Sequence, residues 1–159
     1  MLSIRPATVN DAGLLLSLIR ELADYEHELS SVTITESQLT QHGFGANPKF
    51  RALIAEWDGQ AAGYALFFPF FSTWTGPQMF LEDVFVRPQL RGKGIGTALM
   101  AQVARVAREE NCFAMRWEVL GWNEPSIKTY LGMGAEFLED WKLMWLTGGS
   151  LHNLAQQAA

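Results

Sequence analysis

The sequence predicts an α/β protein built as a sandwich around a mixed sheet, and three observations predict it. Three apolar runs with strand character, "FRALIAEW", "AAGYALFFPF" and "MFLEDVFV", follow one another through the middle of the chain. Helix-periodic stripes lie on both sides of them in the sequence. Between the last run and the next helical stretch stands "RGKGIG", residues 91–96, with a glycine at every second position and two cations among them.

Taken in order, residues 2–5 read as a short strand. "TVND" before "AGLLLSLIRELADYE" reads as a capping signal, and Leu14, Leu15, Leu18, Ile19 and Leu22 form one apolar stripe of a helix. Residues 35–42 form a weaker helix ended by Gly43 and Gly45. Two strands joined by the turn Asp58-Gly59 come next, then a strand over residues 79–86. A helix follows the glycines to about Glu110, with Leu99, Val103 and Val106 on one side. "AMRWEV" reads as another strand. "NEPSIKTYLGMGA" reads as a helix with Asn123 as N-cap, Pro125 in its first turn and Gly134 at its end. "WKLMWL" closes the structured part as a strand, and residues 148–159 form a loose or helical tail.

The 159 residues suit one domain spanning 1–159, with no repeats and no linker-like stretch. With 48% apolar and 18% charged residues the chain is neither disordered nor fibrous. Its apolar stretches are too short for a membrane span and no leader pattern opens it, so a cytoplasmic protein is expected, without membrane contact. The lone Cys112 agrees with a reducing compartment. His27, His42 and His152 are scattered, so no metal site is expected. A net charge of −5 argues against wholesale binding of nucleic acid or anionic membrane.

Charge is nevertheless uneven. Arg87, Arg91, Lys93, Arg105 and Arg108 gather around the glycines, whereas Glu26, Glu82, Asp83, Glu118 and Glu139 lie elsewhere. A strand running into a helix near Gly94 would present unpaired backbone N–H groups at the positive end of that helix. Gly92, Gly94 and Gly96 would let an anion approach those groups, and Arg91 and Lys93 would add charge: a phosphate cradle. It is neither a Walker loop, which ends in Gly-Lys-Ser/Thr, nor the dinucleotide fingerprint.

"RGKGIG" resembles the Arg/Gln-x-x-Gly-x-Gly/Ala signature of the GCN5-related N-acetyltransferases (GNAT), which hold the pyrophosphate of acetyl-CoA. "IRPAT", "ELADYE", "GFGANP", "FLEDVFV" and "WNEPSIKTYLGMGA" resemble the diamine acetyltransferase branch, which includes the spermidine/spermine and thialysine enzymes, over residues 3–146. The resemblance implies a mostly antiparallel central sheet flanked by helices in three layers. It also implies acetyl transfer from acetyl-CoA directly to a primary amine, and a homodimer. It carries coenzyme contacts onto the backbone of Val84, Phe85 and Val86, onto Arg91, Gly92, Lys93, Gly94, Ile95, Gly96 and Thr97, and onto Asn123, Glu124, Pro125, Ser126 and Tyr130.

Acetyl transfer needs a neutral amine, a stabilised oxyanion and a departing thiolate that gains from a proton. The resemblance gives the last role to Tyr130, two turns along its helix from Asn123 on the same face. Glu82 matches the family's substrate carboxylate and proposed base, acting directly or through water. Strand alternation sends Glu82 and Asp83 to opposite faces, and a buried carboxylate is costly unless paired or functional. Pairing with a neighbouring cation or backbone group is as good a reading of Asp83 as substrate contact. Tyr25, Glu26, Trp74, Arg116, Trp117, Glu118, Glu139 and Trp141 match positions near the substrate. A pocket with several carboxylates suits a cation, and Trp74 and Trp141 could stack on an alkyl-ammonium chain.

One departure stands out: Ser72 and Thr73 precede Trp74 where polyamine-acetylating relatives carry an acid. A polyamine and a shorter, thialysine-like acceptor both remain open. So do a non-catalytic coenzyme-binding module and a protein or peptide acetyltransferase, although the retention of Glu82 and Tyr130 speaks against the former.

Overall fold

A computed structural model describes residues 1–158. The chain divides into two compact units, Met1–Glu118 and Val119–Ala159.

The first unit holds a five-stranded sheet in the order β1-β2-β3-β4-β5: β1 (Leu2–Pro6), β2 (Arg51–Trp57), β3 (Gln60–Ser72), β4 (Gly76–Val86) and β5 (Met115–Arg116). The first three pairings are antiparallel and β4–β5 is parallel. The expected β2–β3 hairpin turns at Asp58-Gly59, where both residues have positive φ. α1 (Ala12–Tyr25) and α2 (Glu36–Phe44) cover one face, with Leu15, Leu18 and Leu39 packed on Ala52, Ile54, Tyr64, Leu66 and Phe85. α3 (Ile95–Glu109) packs on β2, β3 and β4 and buries Ile95, Leu99, Met100, Val103 and Ala107. Because Leu53, Ala55, Ala65 and Phe67 are buried alongside their even-numbered neighbours, both faces of the sheet are covered. These are the three layers expected from the sequence.

The helix-start signals work as read, with one shift. Asp11 of "TVND" accepts from the Thr8 backbone N–H at 2.7 Å, but the box closes a short 3-10 turn, Val9–Asp11, that leads into α1. Asp11 is buried and also takes two 2.9 Å bonds from Arg5, which holds its carboxyl far below the usual range. At α2, Thr35 and Gln38 cap each other.

Two strand expectations need correction. "AMRWEV" pairs only at Met115 and Arg116, opposite Met79 and Phe80, so the strand expected over 114–119 is two residues long. "WKLMWL" forms no strand: residues 141–146 have no sheet partner, and Trp141, Leu143, Met144 and Trp145 are strongly exposed. Their apolar alternation is that of a strand, but the pairing edge that would fix it is missing within the described residues. The second unit instead has α4 (Glu124–Gly132) and α5 (Gly148–Ala155), the latter in the segment read as a loose or helical tail. α4 starts after Asn123 with Pro125 in its first turn. It ends where Ala135 N–H reaches the Tyr130 carbonyl at 3.1 Å and Gly134 N–H reaches Leu131 at 3.0 Å, the paired bonds of a Schellman motif. Among the described residues no helix is long and apolar enough to cross a membrane.

Candidate active site

Two features of the first unit make up the candidate site: the loop from β4 into α3, and a group of carboxylates of which Glu82 and Asp83 lie on β4.

β4 runs to Val86, a 3-10 turn spans Pro88–Leu90, and α3 opens at Ile95 with Gly94 as N-cap. Gly92 and Gly94 have φ of 75° and 76°, the left-handed region that disfavours other residues. A Cβ built on either would meet no protein atom within 4 Å. The space over this backbone is therefore open, and side chains there would fill it. The first-turn N–H groups of α3 have no intrahelical acceptor and lie at the positive end of a 15-residue helix. Open space, orphan donors, Arg91 and Lys93 together fit a diphosphate.

On the side away from β3, the edge of β4 beyond Phe80 has no strand beside it among the described residues, because β5 pairs only with Met79 and Phe80. A bare run from Leu81 to Val86 ending at the glycine loop also suits an extended, amide-bearing chain laid along a strand. The Val86 carbonyl already accepts from Arg91 Nε at 3.0 Å.

The carboxylates depend on an irregularity in β4. Leu66 pairs with Asp83 while Phe67 pairs with Leu81, so Glu82 is the extra residue of a β-bulge. Regular alternation does not run through a bulge, which corrects the expectation that Glu82 and Asp83 take strictly opposite faces. The two are close enough for the charge of Asp83 to act on Glu82.

Asp83 accepts a 2.8 Å hydrogen bond from the hydroxyl of Tyr64, a fully buried residue of β3. That partner is a neutral hydroxyl, neither the cation nor the backbone group expected from the sequence. Burial pushes the Asp83 carboxyl up, the Tyr64 bond pulls it back, and the charge of Glu26 pushes it up again. Burial, then the charges of Asp83 and Glu118, raise Glu82 as well, and burial raises Glu26. By its accessible surface Glu82 is nevertheless an exposed residue, unlike the buried carboxylate that its place in an apolar run suggested. None of the ion pairs among the described residues involves Glu26, Glu82, Asp83 or Glu118. The structure thus brings four of the sequence-derived substrate residues into one electrostatic set.

The other sequence-derived positions are spread more widely. Tyr25, the last residue of α1, has the Arg91 guanidinium carbon 4.2 Å from its ring centre. Trp74 is exposed at the β3–β4 turn. The Arg116 guanidinium sits 5.5 Å from the Phe70 ring, and Trp117 is half-buried. Asn123, Glu124, Pro125, Ser126, Tyr130, Glu139 and Trp141 belong to the second unit. There Asn123 is buried, Tyr130 half-buried and Trp141 exposed.

Sequence reasoning missed Tyr64 and the bulge. Tyr64 could have been suspected as the one polar-tipped side chain in "AAGYALFF", but its link to Asp83 depends on a register shift that composition does not encode. It also missed the stacking of Lys93 over Trp57, at 4.9 Å.

Comparison with known proteins agrees with this geometry. Residues 16–135 match the family described as acetyltransferase (GNAT). A thialysine N-epsilon-acetyltransferase of Sus scrofa is 39% identical, covering 96% of this chain and 96% of that protein. A spermidine/spermine N(1)-acetyltransferase-like protein of Homo sapiens is 34% identical over 96% of this chain and 23% of that one. In fold, an integron cassette protein from the mobile metagenome of V. cholerae superposes with a TM-score of 0.80 at 24% identity, covering 98% of both chains. The chain belongs to the GNAT acetyltransferase family. It is an enzyme that transfers an acetyl group to an amine, and acetyl-CoA is the donor that this family uses.

Proposed function

We propose that the acceptor is a small cationic amine, either a diamine or polyamine or a shorter thialysine-like molecule. The observation that carries this is a carboxylate set: Glu26, Glu82 and Asp83 are each raised by burial, Glu82 also by the charges of Asp83 and Glu118 and Asp83 by that of Glu26, and no cation among the described residues is ion-paired to any of the four. Such a set gains most from an ammonium group brought from outside. A neutral peptide backbone would leave it uncompensated. The names of the relatives, thialysine and spermidine/spermine acetyltransferases, point to the same chemistry.

In this reading the diphosphate of acetyl-CoA rests on the amides opening α3, with Gly92, Gly94 and Gly96 making room and Arg91 adding charge. Its pantetheine arm follows β4 at Val84 to Val86. Glu82, directly or through a water, takes a proton from the acceptor's ammonium group, leaving the neutral amine that attacks the thioester carbonyl. A carboxyl whose pKa is raised gives up less driving force in doing so than an ordinary one. The Tyr130 hydroxyl protonates the departing thiolate, and Asn123, Glu124, Pro125 and Ser126 contact the coenzyme. Tyr25, Trp74, Arg116, Trp117, Glu139 and Trp141 complete the acceptor side. The 1–159 chain acts as a single acetyltransferase domain. It works as a cytoplasmic homodimer, a reading supported by its lone cysteine and by exposed Phe137, Leu138, Trp141, Leu143, Met144 and Trp145.

An acceptor panel tests the proposal. Release of CoA thiol from acetyl-CoA should appear with polyamines, diamines or thialysine-like amines and not with neutral peptides. Turnover confined to peptides would refute it. Within the active group, preference for spermidine over thialysine would decide between the two acceptors.

A further inference from the structure

Tyr25 enters the site as a residue of the acceptor side, yet the structure places a donor-side residue on its ring. Arg91, at the head of the glycine loop, is fixed in two ways. Its Nε donates to the Val86 carbonyl at the end of β4, at 3.0 Å. Its guanidinium lies 4.2 Å from the ring centre of Tyr25 and 6.0 Å from that of Phe85. Both Nη groups lack an acceptor among the described residues, and Arg91 joins no ion pair there. A guanidinium with its Nε occupied and its flat face on an aromatic ring keeps one pair of donors for a planar, two-pronged anion contact. The other loop cation, Lys93, is drawn instead toward Trp57 at the end of β2.

We propose that Tyr25 is a positioning residue for the acetyl donor: its ring is the platform that holds Arg91 ready for the diphosphate, so the last residue of α1 governs coenzyme affinity. The proposal rests on the reading of the glycine loop as the diphosphate cradle. A guanidinium on a long, rotatable side chain must be ordered before it can bind, and the aromatic platform meets that cost before the ligand arrives. The ring, not the hydroxyl, supplies the attraction, so phenylalanine should serve as well as tyrosine.

Calorimetric titration with CoA, together with acceptor kinetics at saturating acetyl-CoA, tests this. Tyr25→Leu should weaken CoA binding about 3- to 10-fold, the range that an exposed to partly desolvated cation–π contact allows. Tyr25→Phe should restore it to within about twofold. In an Arg91→Met background Tyr25→Leu should add nothing, whereas a general effect on folding would persist there. Arg91→Lys keeps the charge but loses the flat face, so it should weaken CoA comparably, and the test does not depend on one variant's stability. Unchanged CoA affinity in Tyr25→Leu, equal losses in both backgrounds, or a raised acceptor KM with donor binding intact would each overturn the proposal. Absence of CoA binding by the unaltered protein would instead overturn the cradle reading, and this proposal with it.

Discussion

Glu82 combines two conditions that rarely coexist in one side chain: an expensive electrostatic setting and access to water. Its carboxyl is raised by burial first and then by Asp83 and Glu118, and Glu26 and Asp83 are raised beside it. An acid whose pKa is higher folded than unfolded favours the native state most below its unfolded pKa, and that contribution is lost as pH rises through the folded value. The group therefore costs stability at neutral pH. Glu82→Gln should raise the thermal midpoint at pH 8 and leave it nearly unchanged at pH 4, as differential scanning calorimetry would read. A drop at pH 8 would contradict the assignment. In turnover the same substitution should cost about 10²- to 10⁴-fold near neutrality, the usual worth of a general base. It should also abolish the acid-side fall in the pH–rate profile, which in the unaltered enzyme should be shifted upward from that of an ordinary glutamate. The acid side of the protein has the opposite sign elsewhere. Arg5 holds Asp11 low, Arg87 holds Glu21 low, and Arg51 holds Glu110 low, so those contributions disappear as pH falls through the lowered values.

Among the elements, the loop into α3 carries the clearest expectation. Any residue but glycine at Gly94 must adopt φ near 76°. Gly94→Ala should therefore destabilise by about 1–2 kcal/mol, the left-handed penalty. It should also weaken CoA binding by crowding the open space, so calorimetry and thermal denaturation should move together. At α2 the penalty is local: Thr35→Ala removes a reciprocal cap and should cost about 0.5–2 kcal/mol, with activity unaffected. The β1–β4 strands and α1–α4 were legible because each has a period and a punctuation mark of its own, Asp58-Gly59 for one hairpin and Gly134 for one helix end. The glycine loop was legible for the same reason, since its left-handed backbone at Gly92 and Gly94 takes residues that regular structure avoids. The bulge at Glu82 was not, because an extra residue in a strand leaves no trace in an apolar run; only the partner strand reveals it. The overlong reading of "AMRWEV" and the lost strand at 141–146 share a cause. β propensity marks a segment fit for a sheet, but pairing comes from elsewhere in the molecule.

For the molecule as a whole, the second unit shows what pairing leaves undone. Trp141, Leu143, Met144 and Trp145 lie at 67%, 70%, 87% and 81% exposure, a density of bare apolar side chains unusual for a lone soluble chain. Under the homodimer reading, analytical ultracentrifugation should give twice the 17.8 kDa chain mass, and Leu143→Glu with Trp145→Glu should return it to one. A single-chain mass for the unaltered protein would refute that reading. The first unit makes a different demand on any descendant of this sequence. Glu82, the acid proposed as its base, is the inserted residue that offsets β4 against β3 by one place. Exchanging that side chain alters its charge and chemistry but keeps the register, whereas deleting the residue would turn Asp83 and Phe85 through the sheet and misdirect the strand that delivers the loop. Loss of the acid by substitution is a path open to evolution; loss by deletion is closed by the architecture.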